Sequence, residues 1–169
     1  MPVMAIYTPI KNIFINKKVT ESRSKYGLKM LSIKEIKNMI SEIGKKNSAI
    51  IFGSDQSPRK HQKAYWMNFL NQNTAVQFGA EKFAKDFNAI VVFAHIQKIK
   101  RGYYEIEYKL ISEEVEKLPH GYITQKHTKL LEEVIQKNPP YWLWSHKRWK
   151  LKQKETDHLN EAIEFRNYE

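Results

Sequence analysis

One stretch of the chain, residues 48–58, constrains the fold more than any other, and it reads SAIIFGSDQSP. Its apolar run Ala49–Phe52 stops at Gly53. An unbroken apolar run closed by turn residues is typical of a strand buried on both faces of a sheet. Ligands of open α/β sheets bind just past the carboxyl ends of such strands, where Asp55 and Gln56 stand. The loop is either a binding site or a capped turn, because Ser and Asp side chains also close turns.

The segments before this stretch alternate between strand and helix patterns. Val3–Tyr7 is a second short apolar run, so we predict a strand there. Residues 32–43 carry an apolar stripe behind a capping box formed by Ser32 and Glu35. Because this predicted helix leads into the strand Ala49–Phe52, the order favours an α/β architecture.

A basic, weakly amphipathic helix is predicted over residues 11–26, with Arg23 near its end and Gly27 as its cap. Four further elements are predicted downstream. A helix over residues 74–87 begins at a capping box of Thr74 and Gln77 and is followed by Asn88. Strands over residues 89–96 and 103–111 form a hairpin with an exposed second arm, and a helix of about 15 residues then ends at Pro139-Pro140.

The composition is that of a globular chain with an anionic partner. A length of 169 residues predicts one domain, and 41% hydrophobic with 28% charged residues is usual for soluble proteins. No apolar stretch approaches the roughly 20 residues that cross a bilayer. The chain has no cysteine, which excludes disulfides and thiolate metal sites. Its formal net charge of +11 favours nucleic acid, a phospholipid surface or a phosphorylated substrate, and composition does not choose among them.

The histidines give no catalytic or metal site that the sequence alone supports. None of the six pairs with another at metal-ligand spacing, so no metal or cofactor is predicted. His127 and Glu132 fit the pattern H-x-x-x-x-E, but on a helix they point about 140° apart. His127 also stands beside Lys126 and Lys129, on a face expected to be solvated. We interpret this match as chance.

Residues 141–150, YWLWSHKRWK, combine aromatic rings with cations. A membrane interface selects this mixture, with rings at headgroup level and cations on phosphates. Single-stranded nucleic acid could also stack on it, and a packed segment with solvated cations is the third interpretation. The membrane interpretation names five residues: Trp142, Trp144, Arg148, Trp149 and Lys150.

Several motifs follow one another in an informative order: Tyr7-Thr8-Pro9 with Asn12, Arg23 with Gly27, Gly53-Ser54-Asp55-Gln56, Phe69-Leu70, Gly79, the apolar run Ala89–Ala94, and Tyr141-x-Leu143-Trp144-x-His146-x-Arg148-Trp149-Lys150. Together they resemble the bacterial lipid A biosynthesis acyltransferases, the lauroyl/myristoyl branch of the lysophospholipid acyltransferase superfamily. The Asp-Gln pair and the last motif are the most diagnostic. The resemblance implies that residues 1–150 are the C-terminal part of an acyltransferase domain. Residues 151–169 match nothing and are predicted to be a polar, helical tail with little to bury.

The resemblance implies an α/β fold with a mixed sheet flanked by helices. In the family, a His followed after four residues by Asp or Glu lies upstream of the strand matching Val3–Tyr7. The present chain starts just after that position, so we expect the catalytic dyad, the first strand and the first helix to be missing. The strand Val3–Tyr7 would then have an unpaired apolar edge, which promotes self-association.

The function implied by the resemblance is acyl transfer from acyl carrier protein to a hydroxyl of a lipid A precursor, without a cofactor, at the cytoplasmic face of the inner membrane. Arg23 and Asp55 would line one cleft on the acceptor side, within about 10 Å of each other, and Gln56 would support the loop. Without the dyad, the 169-residue chain is expected to be inactive alone. The alternative is a non-enzymatic basic module for anionic membrane or nucleic acid. Nucleic acid is not favoured, since no recognisable binding signature accompanies the charge.

Overall fold

A computed structural model of the chain describes residues 1–36, 47–59 and 64–168. The chain forms two compact units, Met1–Gly53 and Ser54–Glu169. The α/β class is confirmed, with both parallel and antiparallel strand pairs. The strands of the described residues form three small sheets rather than the one mixed sheet that the resemblance implied.

The first unit contains strand β1 (Val3–Tyr7), helix α1 (Ile13–Ser24), strand β2 (Lys29–Ser32) and strand β3 (Ala49–Ile51). The strands are parallel in the order β2-β1-β3, and Ala5 of β1 pairs with Met30 on one side and Ile51 on the other. The predicted strand at Val3–Tyr7 is therefore confirmed, but the expected unpaired edge is wrong. Helix α1 carries the chain back so that β2 pairs with one edge of β1 in parallel, and β3 pairs with the other edge.

Strand β3 is shorter and more exposed than its apolar sequence predicted. It stands at the end of the described strand order, and Ile51 is 51% exposed. The expectation of a strand buried on both faces is wrong, because an apolar run alone does not separate a central strand from one at the edge.

Local capping follows the sequence in this unit. Helix α1 begins after Asn12, whose Oδ1 accepts a hydrogen bond from the Ile15 amide at 3.1 Å. None of its residues is buried, as expected of a basic helix with weak amphipathicity. The capping box is also present: the Ser32 amide donates to Glu35 Oε2 at 2.8 Å, and the Glu35 amide donates to Ser32 Oγ at 3.3 Å. The rest of the predicted helix, residues 37–43, lies outside the described residues.

Within its described residues, the second unit contains two hairpins, two α-helices and short 3₁₀ turns. Its elements are β4 (Tyr65–Phe69), β5 (Gln72–Val76), α2 (Gly79–Asp86), β6 (Val91–Lys100), β7 (Tyr103–Ser112), α3 (Tyr122–Lys137), and 3₁₀ turns at Val115–Lys117, Pro139–Tyr141 and Phe165–Tyr168. The β6–β7 hairpin with its exposed second arm and the helix ended by Pro139-Pro140 are confirmed.

The capping box predicted at Thr74 and Gln77 is wrong. Thr74 lies within β5, opposite Met67 of β4, and the helix begins only at Gly79. A tight turn joins the two strands, with φ of +50° at Leu70 and +59° at Asn71. Two consecutive positive φ values suit the right-handed twist of a hairpin. Residues 72–76 therefore form the second strand of this hairpin instead of the start of a helix.

The main hydrophobic core lies between α2, β7 and α3. Its buried members are Ala84, Ile111, Val115, Leu118, Tyr122 and Ile123, with Val91, Phe93, Leu130, Ile163 and Phe165 packed around them. None of the helices within the described residues has the length and apolar content needed to cross a bilayer.

Residues 151–164 form no helix, so the predicted helical tail is wrong. The tail pairs with β4 through a parallel bridge between Trp66 and Leu159, and the Asn160 amide donates to the Trp66 carbonyl at 2.9 Å. These bonds replace those that a helix would make within itself. The expectation of little to bury is also wrong, because Phe165 packs edge-on against Tyr122 with ring centroids 5.3 Å apart.

Candidate functional site

The loop at residues 54–58 is held by side chains from distant parts of the second unit. The Ser57 amide donates to Nε2 of His146 at 3.1 Å, and Gln77 Nε2 donates to the Gln56 carbonyl at 3.2 Å. Ser57 is buried, whereas the Gln56 side chain is exposed. Because His146 belongs to the aromatic motif, this contact joins the two segments that the sequence singled out as most diagnostic.

Arg148 supplies a buried cation beside the same loop. It is 3% exposed, and its Nη1 donates to the Ala75 carbonyl at 2.7 Å. Its guanidinium carbon lies 5.5 Å from the centre of the Phe69 ring. Burial lowers the pKa of Arg148 to about 10, and the negative charge of Asp55 acts in the opposite direction. Asp55 is half-buried, so its carboxylate interacts with a cation fixed inside the fold.

The tryptophans of residues 141–150 pack mainly against the β4–β5 hairpin. Trp142 packs edge-on against Phe69 with ring centroids 6.0 Å apart, and Trp149 Nε1 donates to Thr74 Oγ1 at 2.8 Å. Trp144 and Lys150 are exposed. Packing within the fold accounts for Trp142, Arg148 and Trp149, so a membrane contact of this segment stays a prediction that rests on the two exposed residues.

Arg23 and Asp55 belong to different units of the chain. Arg23 is exposed in the last turn of α1, in the first unit, and Asp55 lies just inside the second. Their common cleft therefore stays a prediction.

The residues of the H-x-x-x-x-E match serve separate roles. Glu132 accepts hydrogen bonds from the Leu70 amide at 2.6 Å and from Lys129 Nζ at 2.7 Å, and so stabilises the β4–β5 turn. His127 Nε2 is buried and has no hydrogen-bond partner within the described residues. Burial of this nitrogen lowers the pKa of His127 to about 4, so the expected solvation is wrong for the His127 ring, whereas Lys129 is exposed as expected. The described residues contain no group of three or more His, Asp or Glu side chains that could hold a metal ion.

Acid is expected to destabilise the chain through His127. Its pKa is about 4 in the folded state, against an ordinary value of 6.5. Between these values the unfolded chain binds a proton that the folded chain does not. The contribution of His127 to the free energy of unfolding should therefore rise with pH across this window, and it should be about 2–3 kcal/mol lower at pH 4.5 than at pH 7.

Urea unfolding of the wild type and His127→Leu at both pH values measures this contribution. The His127→Leu chain should lose correspondingly less stability in acid. His158→Leu is the matched control, since His158 is exposed, and it should behave as the wild type. An equal loss of stability in acid for the wild type and His127→Leu would show that His127 does not cause the acid sensitivity.

The family comparison agrees with these motifs. A family model described as bacterial lipid A biosynthesis acyltransferase matches residues 1–151 of the 169. The chain belongs to this family. The resemblance drawn from the motifs is thus confirmed, and the match ends where the tail begins. Association with the bacterial inner membrane is a property of the lipid A acyltransferase family. No individual curated protein matches the chain.

Proposed function

We propose that this chain forms the lipid-acceptor side of an acyl transfer from acyl carrier protein to a lipid A precursor, at the cytoplasmic face of the inner membrane. The family match over residues 1–151 is the observation that carries the proposal. The contacts around residues 54–58 support it, since they hold a half-buried carboxylate in a fixed loop.

Arg23 and Asp55 suit the two kinds of group that a phosphorylated sugar offers. An arginine side chain presents several donors in a planar fork that matches phosphate oxygens. An ionised aspartate accepts hydrogen bonds, and sugar hydroxyls donate them. Gln56 presents an exposed amide beside Asp55, and its backbone carbonyl is tied to Gln77. The net charge of +11 adds a long-range attraction for an anionic lipid.

The transfer step needs a base that takes the proton of the attacking hydroxyl. General-base catalysis commonly contributes about 10² to 10⁴ in rate. In the family, this base belongs to the H-x-x-x-x-D/E motif, which lies upstream of the strand matching Val3–Tyr7. His127 is a poor substitute because its Nε2 is buried and Glu132 bonds the turn at Leu70. We therefore propose that the described residues of this chain bind the acceptor and do not include the base.

The experiment that tests this function uses the purified chain with a lipid A precursor in detergent micelles and acyl carrier protein thioester. We expect the precursor to bind, measured by equilibrium dialysis, and no acylated product by mass spectrometry. Product that persists in the His127→Ala chain would show that another residue acts as the base. A chain that does not retain the precursor would contradict the acceptor role itself.

A further inference from the structure

The β6–β7 hairpin presents an apolar face that no described part of the chain covers. Residues directly opposite each other in an antiparallel pair share a face. The pairs on this outer face are Val92–Leu110, Ala94–Tyr108, Ile96–Ile106 and Lys98–Tyr104. Its large apolar and aromatic members are each at least 50% exposed: Val92, Ile96, Tyr104, Ile106, Tyr108 and Leu110. Monomeric soluble proteins rarely expose so continuous an apolar surface.

The opposite, inner face of the hairpin has a different character. Phe93 packs against the main core, and the acidic side chains of β7 also lie on this side. Glu107 lies 3.8 Å from His95 Nδ1 and 4.0 Å from Lys109 Nζ. Acidic groups of the hairpin are thus kept away from its outer face and lie next to basic groups.

The tip of the hairpin is cationic and aromatic. Lys100 Nζ lies 4.3 Å from the centre of the Tyr103 ring, and Arg101 is exposed beside Gly102. Lys98 stands at the tip end of the outer face, with Nζ 5.8 Å from the centre of the Tyr141 ring. An apolar strip therefore leads into a cluster of cations and tyrosines.

We propose that the outer face of the β6–β7 hairpin docks on a bilayer that carries anionic phospholipid. Apolar side chains would enter the boundary between headgroups and acyl chains, and the tip cations would meet the phosphates. Tyrosines are enriched at that depth because the ring is apolar and the hydroxyl is polar. A second copy of this face offers no acidic side chain to match the cations, whereas an anionic membrane surface offers phosphate groups. The docking does not depend on acyl transfer.

Co-sedimentation with vesicles of phosphatidylglycerol and phosphatidylethanolamine tests the charge contribution. Each cation near an anionic surface contributes about fivefold to partitioning, so Lys100→Glu with Arg101→Glu should weaken binding at least about 25-fold at low salt. The matched control is Lys152→Glu with Lys154→Glu, which changes the same number of exposed cations elsewhere in the second unit. The control variant should lose clearly less vesicle binding than the hairpin variant. Binding of the wild type should also weaken as salt is raised.

The apolar contribution is tested with Ile96→Ser combined with Ile106→Ser, a directly paired couple of the outer face. The control Ile51→Ser removes a strand isoleucine of similar exposure, 51% against 50% for Ile106. Circular dichroism checks that each variant is folded. We expect the double variant to lose vesicle binding and the control to keep it. Equal vesicle binding by both hairpin variants and the wild type would overturn the proposal. So would a stable dimer that either hairpin variant dissociates, because the face would then belong to a second copy.

Discussion

Replacing Gly121 by alanine is expected to destabilise the chain by about 2–5 kcal/mol. Gly121 has a φ of +91°, a conformation that side chains with a Cβ rarely adopt. A Cβ at this position would also overlap the hydroxyl of Tyr65. That ring cannot withdraw easily, because the Tyr65 hydroxyl accepts a hydrogen bond from Gln125 Nε2 at 2.8 Å and its ring stacks on Phe78. The backbone and the packing therefore both oppose the substitution.

Gly102→Ala is the matched control for this prediction. Gly102 has a similar φ of +81°, but a Cβ there meets no atom within 4 Å. Its cost should be only that of the backbone conformation, about 1–2 kcal/mol. Urea unfolding of both variants separates the two contributions. Equal losses at Gly121 and Gly102 would show that the contact with Tyr65 has no energetic weight.

Replacing Glu81 by alanine is the second change with a large expected effect, about 3–5 kcal/mol. Glu81 is fully buried in α2, and its carboxylate accepts from the Gly121 amide at 2.6 Å and from the Thr124 amide at 2.9 Å. The Thr124 hydroxyl donates to it at 2.7 Å. These amides belong to the start of α3, where the first N–H groups of a helix have no partner within the helix. Gly121 has no side chain to cap them, so a carboxylate from α2 does so.

Glu81→Ala would leave these buried donors without an acceptor, which costs far more than losing an exposed charge. Glu133→Ala is the control, because Glu133 is exposed on α3, and its effect should stay within about 0.5 kcal/mol. Urea unfolding measures the loss of stability in both variants, and hydrogen exchange of the Thr124 amide reports whether that amide has lost its hydrogen bond. A Glu81→Ala chain as stable as the Glu133→Ala chain would contradict the capping role.

The parts of the fold that the sequence predicted are those decided by neighbouring residues. The β6–β7 hairpin follows from two alternating apolar segments around Gly102, and the Ser32–Glu35 capping box needs only a spacing of three residues. Both are present. The motif segment at residues 141–150 also proved to belong beside the loop at Asp55, although only the order of motifs had connected them.

The parts that could not be predicted depend on contacts between distant residues. An apolar run such as Ala49–Ile51 looks the same in a central strand and at an edge, and only the pairing of β1 with β2 and β3 separates the two. The capping role of Glu81 has no local signal, because the amides that it caps lie 40 or more residues further along the chain. The tail is extended since its backbone bonds to Trp66, which no periodicity within residues 151–169 reveals.

Binding of a lipid A precursor by the Asp55→Asn chain is the measurement that tests the proposed acceptor role most directly. An ionic hydrogen bond contributes about 1.5–3 kcal/mol, so we expect the neutral amide to bind the precursor about 10- to 100-fold more weakly. Asp86→Asn is the control, because Asp86 forms an exposed ion pair with Lys82 that contributes little. It should bind as the wild type, and thermal unfolding should show both variants folded. Undiminished binding by a folded Asp55→Asn chain would show that the Asp55 carboxylate does not bind the acceptor.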